Sequence, residues 1–337
     1  MQATRLFHRR AILRGALAPL CALLTVGAPA AHATETAQQY PSRAIRLIVP
    51  FAPGGVTDTG ARLVADKLGQ RLGQQVIVDN KPGASGNIGT QMAAQATPDG
   101  YTLVVGFDGT LVINPHVHRN IPFDTLKDLA PVSKIGDAAL IIVANPSLPA
   151  NNLQELIAYS KSHSNGVSYG SAGVGSTPHL AGELLRQRTG AKLVHIPYKG
   201  GGQAMADVVG GSLPLLYTAV AGAYPYVERK QIKAIAVSTD KRLASLPDVP
   251  TVQESGVPDF IANSWIGILA PAGTPDDIVA KLQGEIRAVV NAPDIRERLA
   301  GLGITASGNT PAEFRKQIAS DLAMYEDIVK KAQIRAD

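Results

Sequence analysis

Short apolar runs alternate with stretches of helical periodicity along almost the whole chain, and glycine or proline marks most of the joins. Residues 45–51 (IRLIVPF) read as a buried strand, and residues 57–71 as the helix after it, with Ala61, Leu63, Val64 and Leu68 at helical spacing. Residues 75–79 are a second strand, 86–95 a short helix, and 102–107 a third strand after the turn Pro98-Asp99-Gly100. Strands separated by helices pair in parallel with the helices on the faces of the sheet. The pattern then resets, with strands at 138–144, 167–170, 193–196, 213–217 and 232–237 and helices at 152–162, 178–187 and 201–209. One more strand follows at 265–270 (WIGILA), and then helices at 275–290, 293–302 and 311–331, each with a proline at its start. This tail has too few strands for a domain of its own and returns to cover the first unit.

The expected fold class is therefore α/β with two lobes, and 337 residues exceed what a single core usually supports. The expected division is a leader at 1–33, a first lobe of 34–137 plus 260–337, and a second lobe of 138–259, with crossings near 137 and 260. The leader starts with Arg5, Arg9, Arg10 and Arg14, continues through an apolar run at 15–26 and ends on Ala31-His32-Ala33, the pattern of a cleaved secretory signal. Arg9-Arg10 also fits a twin-arginine signal, so export by either route is open. Removing 1–33 takes four of the 32 basic residues and none of the 27 acidic ones, which leaves an excess of one positive charge. No basic block with interleaved aromatics remains, which argues against nucleic acid as a partner. The single cysteine, Cys21, lies in the leader, so disulfides, cysteine metal sites and thiol nucleophiles are not expected. No cofactor is expected, and nothing demands an oligomer.

Two strand-to-helix turns carry the candidate chemistry. The first is Phe51-Ala52-Pro53-Gly54-Gly55-Val56-Thr57-Asp58, and the second runs from Ser171 through Gly173, Gly175, Ser176 and Thr177 to His179. Glycines allow close backbone approach, and free N–H groups at a helix start favour an anion. Each turn alone also reads as a tight turn with an N-cap. One in each lobe could clamp a carboxylate from two sides. A Walker loop is excluded because Gly175 is followed by Ser176 without a lysine, and a dinucleotide fingerprint because the first turn holds only Gly54-Gly55. Ser176 with His179 could form a hydrolase pair, but Gly-x-Ser-x-Gly is absent. His116 and His118 lack a third metal ligand nearby and read as loop residues. Asp108, just past the third strand, could accept from an amino, hydroxyl or ring N–H group, or serve as an Asp-Gly turn residue. Tyr198 follows another strand end and could line the cleft, whereas Lys199 reads as solvated.

The strings IRLIVPFAPGGVTD, DNKPGASGNIG (from Asp79), PDGYTL (from Pro98), GSTPHLAGELL (from Gly175), HIPYKGGGQAMADVVGG (from His195), LPDVPTVQESG (from Leu246) and WIGILAPAGTP (from Trp265) occur in this order. Together they resemble the Bug/TctC family of extracytoplasmic solute-binding proteins, over essentially the whole chain after the leader. The resemblance implies a type II periplasmic-binding-protein fold with two crossovers and no enzymatic role. It implies a small carboxylate held between the two turns by backbone groups, hydroxyls and ordered water. Its implied partners are the membrane subunits of a tripartite tricarboxylate transporter, and a receptor serving a sensor kinase would share the fold. Many relatives carry an acidic residue after the strand at 213–217, where this chain has Thr218. That departure disfavours an amino acid and points to a mono-, di- or aromatic carboxylate whose far end is neutral or hydroxylated.

Overall fold

A computed structural model describes residues 38–335, apart from 52, 54, 55, 199 and 200. The leader at 1–33, with Cys21, and the candidates Ala52, Gly54 and Gly55 lie outside the described residues, as does Lys199. The chain opens with β1 (Ile45–Val49), α1 (Val56–Leu72), β2 (Val76–Asn80), α2 (Asn87–Ala94) and β3 (Thr102–Phe107). A π-helical turn (Gly109–Ile113), α3 (Asn114–Val117) and β4 (Leu129–Ala138) follow. Next come β5 (Leu140–Ala144), α4 (Leu153–Ser162), β6 (Val167–Ser171), α5 (Thr177–Thr189), β7 (Leu193–Pro197) and α6 (Gly201–Gly210). Then β8 (Leu215–Ala219), α7 (Val220–Glu228) and β9 (Lys233–Val237) complete the middle of the chain. The last elements are β10 (Ser264–Pro271), α8 (Asp276–Val290), α9 (Pro293–Gly301), β11 (Ile304–Ala306) and α10 (Pro311–Ala332).

These strands form two sheets, in the orders β11-β4-β10-β3-β1-β2 and β7-β6-β8-β5-β9. The parallel pairing expected of β1, β2 and β3 is present, with Leu47 opposite Val78 and Leu103. The first sheet is nevertheless mixed, because β10 enters between β3 and β4 and runs antiparallel to both. Its eight residues are all buried, which explains the unbroken apolar run from Trp265 onward. The run at 138–144 is not one strand. It divides at Ala139, so that β4 belongs to the first sheet and β5 to the second. Sequence reading missed β4, β11 and α7. In β4, Pro131 stands opposite Leu269 where the register slips, a bulge position at which proline is tolerated.

The final helix braces the crossing region. Thr310 caps α10 by accepting from the Glu313 N–H, and Glu313 accepts in return from the Thr310 N–H, while Pro311 fills the first turn. Phe314, fully buried, meets the ring of Trp265 edge-on at 5.1 Å between centroids. The Trp265 indole N–H donates to Asp321 at 2.8 Å. Among the described residues, no helix is long and apolar enough to cross a membrane. Phe314→Ala should remove about 3–5 kcal/mol of stability, the usual loss for truncating a buried aromatic. Urea denaturation followed by circular dichroism measures it, and a loss below about 1 kcal/mol would show that α10 is not anchored here.

Candidate functional site

The turn between β6 and α5 uses most of its own hydrogen-bonding groups. The Ser176 hydroxyl caps α5 by accepting from the His179 N–H at 3.4 Å, and donates to the Gly173 carbonyl at 2.7 Å. The Ser176 N–H donates to the same carbonyl. The Gly173 N–H donates to Ser171 Oγ at 3.1 Å, and the Gly175 N–H donates to His179 Nδ1 at 3.1 Å. Gly175 has φ +75° and packs against Val117, so a side chain there would be strained and crowded. Pro178 has no N–H. The N–H groups of Ala172 and Thr177, both at the cleft wall, therefore remain without a bond among the described residues.

Beneath this turn, the rings of His179 and His195 stack at 3.7 Å between centroids and 14° between planes. His195 Nε2 lies 2.6 Å from Ser171 Oγ. Burial holds both imidazoles neutral. The pKa of His179 is lowered to about 3, with repulsion from His195 adding to the burial, and that of His195 to about 4. Ser171, Gly175 and His179 thus shape the turn from behind rather than line the cleft. The His179 ring faces the Gly175 N–H, not the Ser176 hydroxyl, so the geometry does not assemble the hydrolase pair.

In the first turn, Thr57 lines the cleft and its hydroxyl makes no bond among the described residues. Asp58 is buried and turned away, accepting from Asn80 Nδ2 at 2.8 Å and from Arg62 Nε at 3.0 Å. The same Asn80 amide donates to the Phe51 carbonyl, so Asn80 ties both ends of the turn, Phe51 and Asp58, to β2. Phe51 packs edge-on against Phe107, which does line the cleft. Tyr198 is tied by its hydroxyl to Asp207 at 2.7 Å, outside the cleft lining.

Asp108 is fully buried and does not reach the cleft. It accepts from the Thr177 hydroxyl at 2.7 Å and from the Ser264 hydroxyl at 2.5 Å, and both of those residues line the cleft. Burial pushes its pKa up to about 7, opposed by Ser264, Thr177 and the Gly109 N–H, which favour the carboxylate; Asp321 adds repulsion. Asp321 and Tyr325, both on α10, are the titratable groups whose charge is coupled to it.

The cleft holds about 470 Å³ between the two sheets. Besides Thr57, Ser176, Thr177, Thr218, Ser264 and the hydroxyl of Tyr226, its side-chain wall is apolar, with Leu140, Met205, Ala221, Ile266 and Leu302. No charged side chain is among the described lining residues. At one end Gly303 comes so close to Ala221 that a β-carbon there would stand 3.0 Å from the Ala221 methyl, which brings the loop before β11 onto the first turn of α7. Ser264, Met205, Tyr226 and Gly303 escaped sequence reasoning. Ser264 alone had a signal, its place at the start of a strongly apolar strand. Another depression, of about 510 Å³, lies beside the end of α1, away from both turns.

The receptor model of the tripartite tricarboxylate transporter family matches residues 60–334. The chain belongs to this family. BugT of Bordetella pertussis is 36% identical over 300 residues, covering 89% of this chain and 92% of its own. Among solved structures, Rpa4515 of R. palustris with adipate is 33% identical with a TM-score of 0.77, covering 88% of this chain and 99% of the other. MatC of Rhodopseudomonas palustris with bound malate is 31% identical with a TM-score of 0.73, covering 86% of this chain and 100% of the other. The two-lobed fold of periplasmic solute-binding proteins is therefore the fold of this receptor.

Neutral buried histidines leave a signature in acid. Unfolded chains protonate histidine near pH 6.5, whereas these two resist to about 4 and 3, so their contribution is complete above pH 6.5 and is lost as pH falls through that window. Asp108 acts oppositely between its ordinary value and about 7. The comparison is therefore with a variant. From pH 7 to 4 the wild-type urea midpoint should fall more steeply than that of His195→Gln. Parallel curves would mean that His195 is not held neutral.

Proposed function

We propose that the receptor captures a small carboxylate in the periplasm and presents it to the membrane subunits of a tripartite tricarboxylate transporter. One observation carries this reading: the groups free to donate into the cleft are uncharged, and they include N–H groups of Ala172 and Thr177 and hydroxyls of Thr57, Thr218 and Tyr226, arrayed between two lobes. Such donors suit a carboxylate, either directly or through bridging water. Adipate and malate, bound by the two relatives, are carboxylates of this size. The remaining wall is neutral and mostly apolar, which suits a ligand with one carboxylate and a neutral body.

The reading also keeps the division into 34–137 with 260–337 and 138–259, in agreement with the membership of the two sheets. Residues 1–33 direct export and are removed. Ligand that touches both lobes favours the closed form by its differential affinity, and the closed form is what the transporter recognises. The receptor acts as a monomer and by binding rather than catalysis. The commitment of the Ser176 hydroxyl to Gly173 supports the latter point.

The test uses protein stripped of co-purified solute by unfolding and refolding. A carboxylate at 100 times its Kd adds about 2.7 kcal/mol and raises Tm by several degrees. Thr218→Val should then weaken that ligand about three- to tenfold in calorimetric titration, the worth of one hydrogen bond. Refolded protein that shifts with no mono-, di- or aromatic carboxylate would sink the proposal.

A further inference from the structure

The cleft hydroxyls are not equivalent, and Asp108 makes the difference. A carboxylate only accepts hydrogen bonds, so Thr177 and Ser264 must both spend their single hydroxyl proton on it. Each oxygen keeps its lone pairs, and both residues line the cleft. Ser176 is committed in the same sense, through its bond to the Gly173 carbonyl. Thr57, Thr218 and Tyr226 have no such partner among the described residues and keep their hydroxyl protons for an anion. The cleft therefore has donors where its N–H groups and free hydroxyls lie, and fixed acceptors where Asp108 stands behind it.

Resting on the carboxylate reading, we infer that Asp108 is a specificity-determining residue that never touches the solute: by drawing in the protons of Thr177 and Ser264 it presents two acceptor oxygens, and the solute answers them with a hydroxyl or N–H group carried on an apolar, singly charged body. A hydroxylated monocarboxylate meets this pattern. A second carboxylate does not, since it would face oxygen lone pairs with no cation in the described lining. Leaving either acceptor dry costs more than a satisfied hydrogen bond returns, so the cleft discriminates against solutes that lack the donor.

The experiment is calorimetric titration at pH 8, above the value near 7 at which the buried carboxyl ionises. The probes are matched sets: benzoate with its 3- and 4-hydroxy and 3- and 4-methoxy derivatives, hexanoate with 6-hydroxyhexanoate, and malate and adipate as dicarboxylates. In the wild type, the best hydroxy acid should bind roughly threefold or more tighter than its unsubstituted and methoxy partners. Asp108→Asn keeps the shape but donates to one of the two hydroxyls, which turns that proton toward the cleft. The hydroxy preference should then shrink toward one while the unsubstituted acid binds within a few-fold of wild type. Ser264→Ala, which removes one acceptor and keeps the carboxyl, should lower the same ratio even if Asp108→Asn fails to fold. A merely structural role for Asp108 would weaken all probes alike.

The inference is overturned if hydroxy acids bind no better than their methoxy partners, or if neither variant changes the ratio. Binding of malate or adipate in preference to every monocarboxylate overturns it while leaving the carboxylate reading intact. Binding of no carboxylate at all defeats both.

Discussion

A single buried carboxyl joins the parts of this molecule that must work together. Asp108 follows the last residue of β3 in the first sheet, Thr177 opens α5 beside the second, and Ser264 begins the strand that returns from one to the other. All three meet at the two oxygens of Asp108. Burying a carboxyl is costly unless it is neutralised or fully hydrogen-bonded. Here two hydroxyls and the Gly109 N–H supply the bonds, and the rise toward 7 shows that they do not cancel the cost of burial. The residue thus persists as a tie between elements that lie more than 150 positions apart in the chain, from Asp108 to Ser264.

Rigidity behind the cleft and availability in front of it are divided between neighbouring groups. In the β6–α5 turn, the N–H groups of Gly173, Gly175, Ser176 and His179 are consumed in holding the turn, and the stacked imidazoles support it from beneath. What remains for a solute is small in number but fixed in direction. In the first turn, Asn80 and Asp58 play the holding part. Orientation is thereby prepared before any solute arrives, which spares the ordering cost that flexible donors would incur on binding.

Much of the fold was legible because strand and helix periods differ and because Gly and Pro mark the joins. β1, β3, α1, α8 and α10 stand within a few residues of where the apolar pattern puts them. The same punctuation misled at β4, where Pro131 and Gly136 look like breaks but occupy an irregular stretch of an otherwise buried strand. Pro225 likewise hid α7, in which it sits inside the helix. At the site, glycine-rich turns and strand ends led to Thr57, Ser176, Thr177 and Thr218, all in the cleft wall. They also led to Asp58, Asp108, His179 and Tyr198, which lie behind that wall or beside it. Sequence shows that a polar residue stands near a strand end. It does not show which way the side chain turns, because that is settled by partners such as Asn80, Ser264 and Asp207, far away along the chain.

The absence of charged side chains from the described cleft lining has a kinetic side. Lysine or arginine at the mouth would draw an anion inward over a Debye length, and dissolved salt would weaken that pull. N–H and hydroxyl dipoles act only at contact. The described lining residues therefore supply hold at contact and no long-range pull of their own. Hydrogen bonds made by such dipoles differ from ion pairs in one more respect: screening by dissolved salt, which acts on separated charges, leaves short dipolar contacts nearly unchanged.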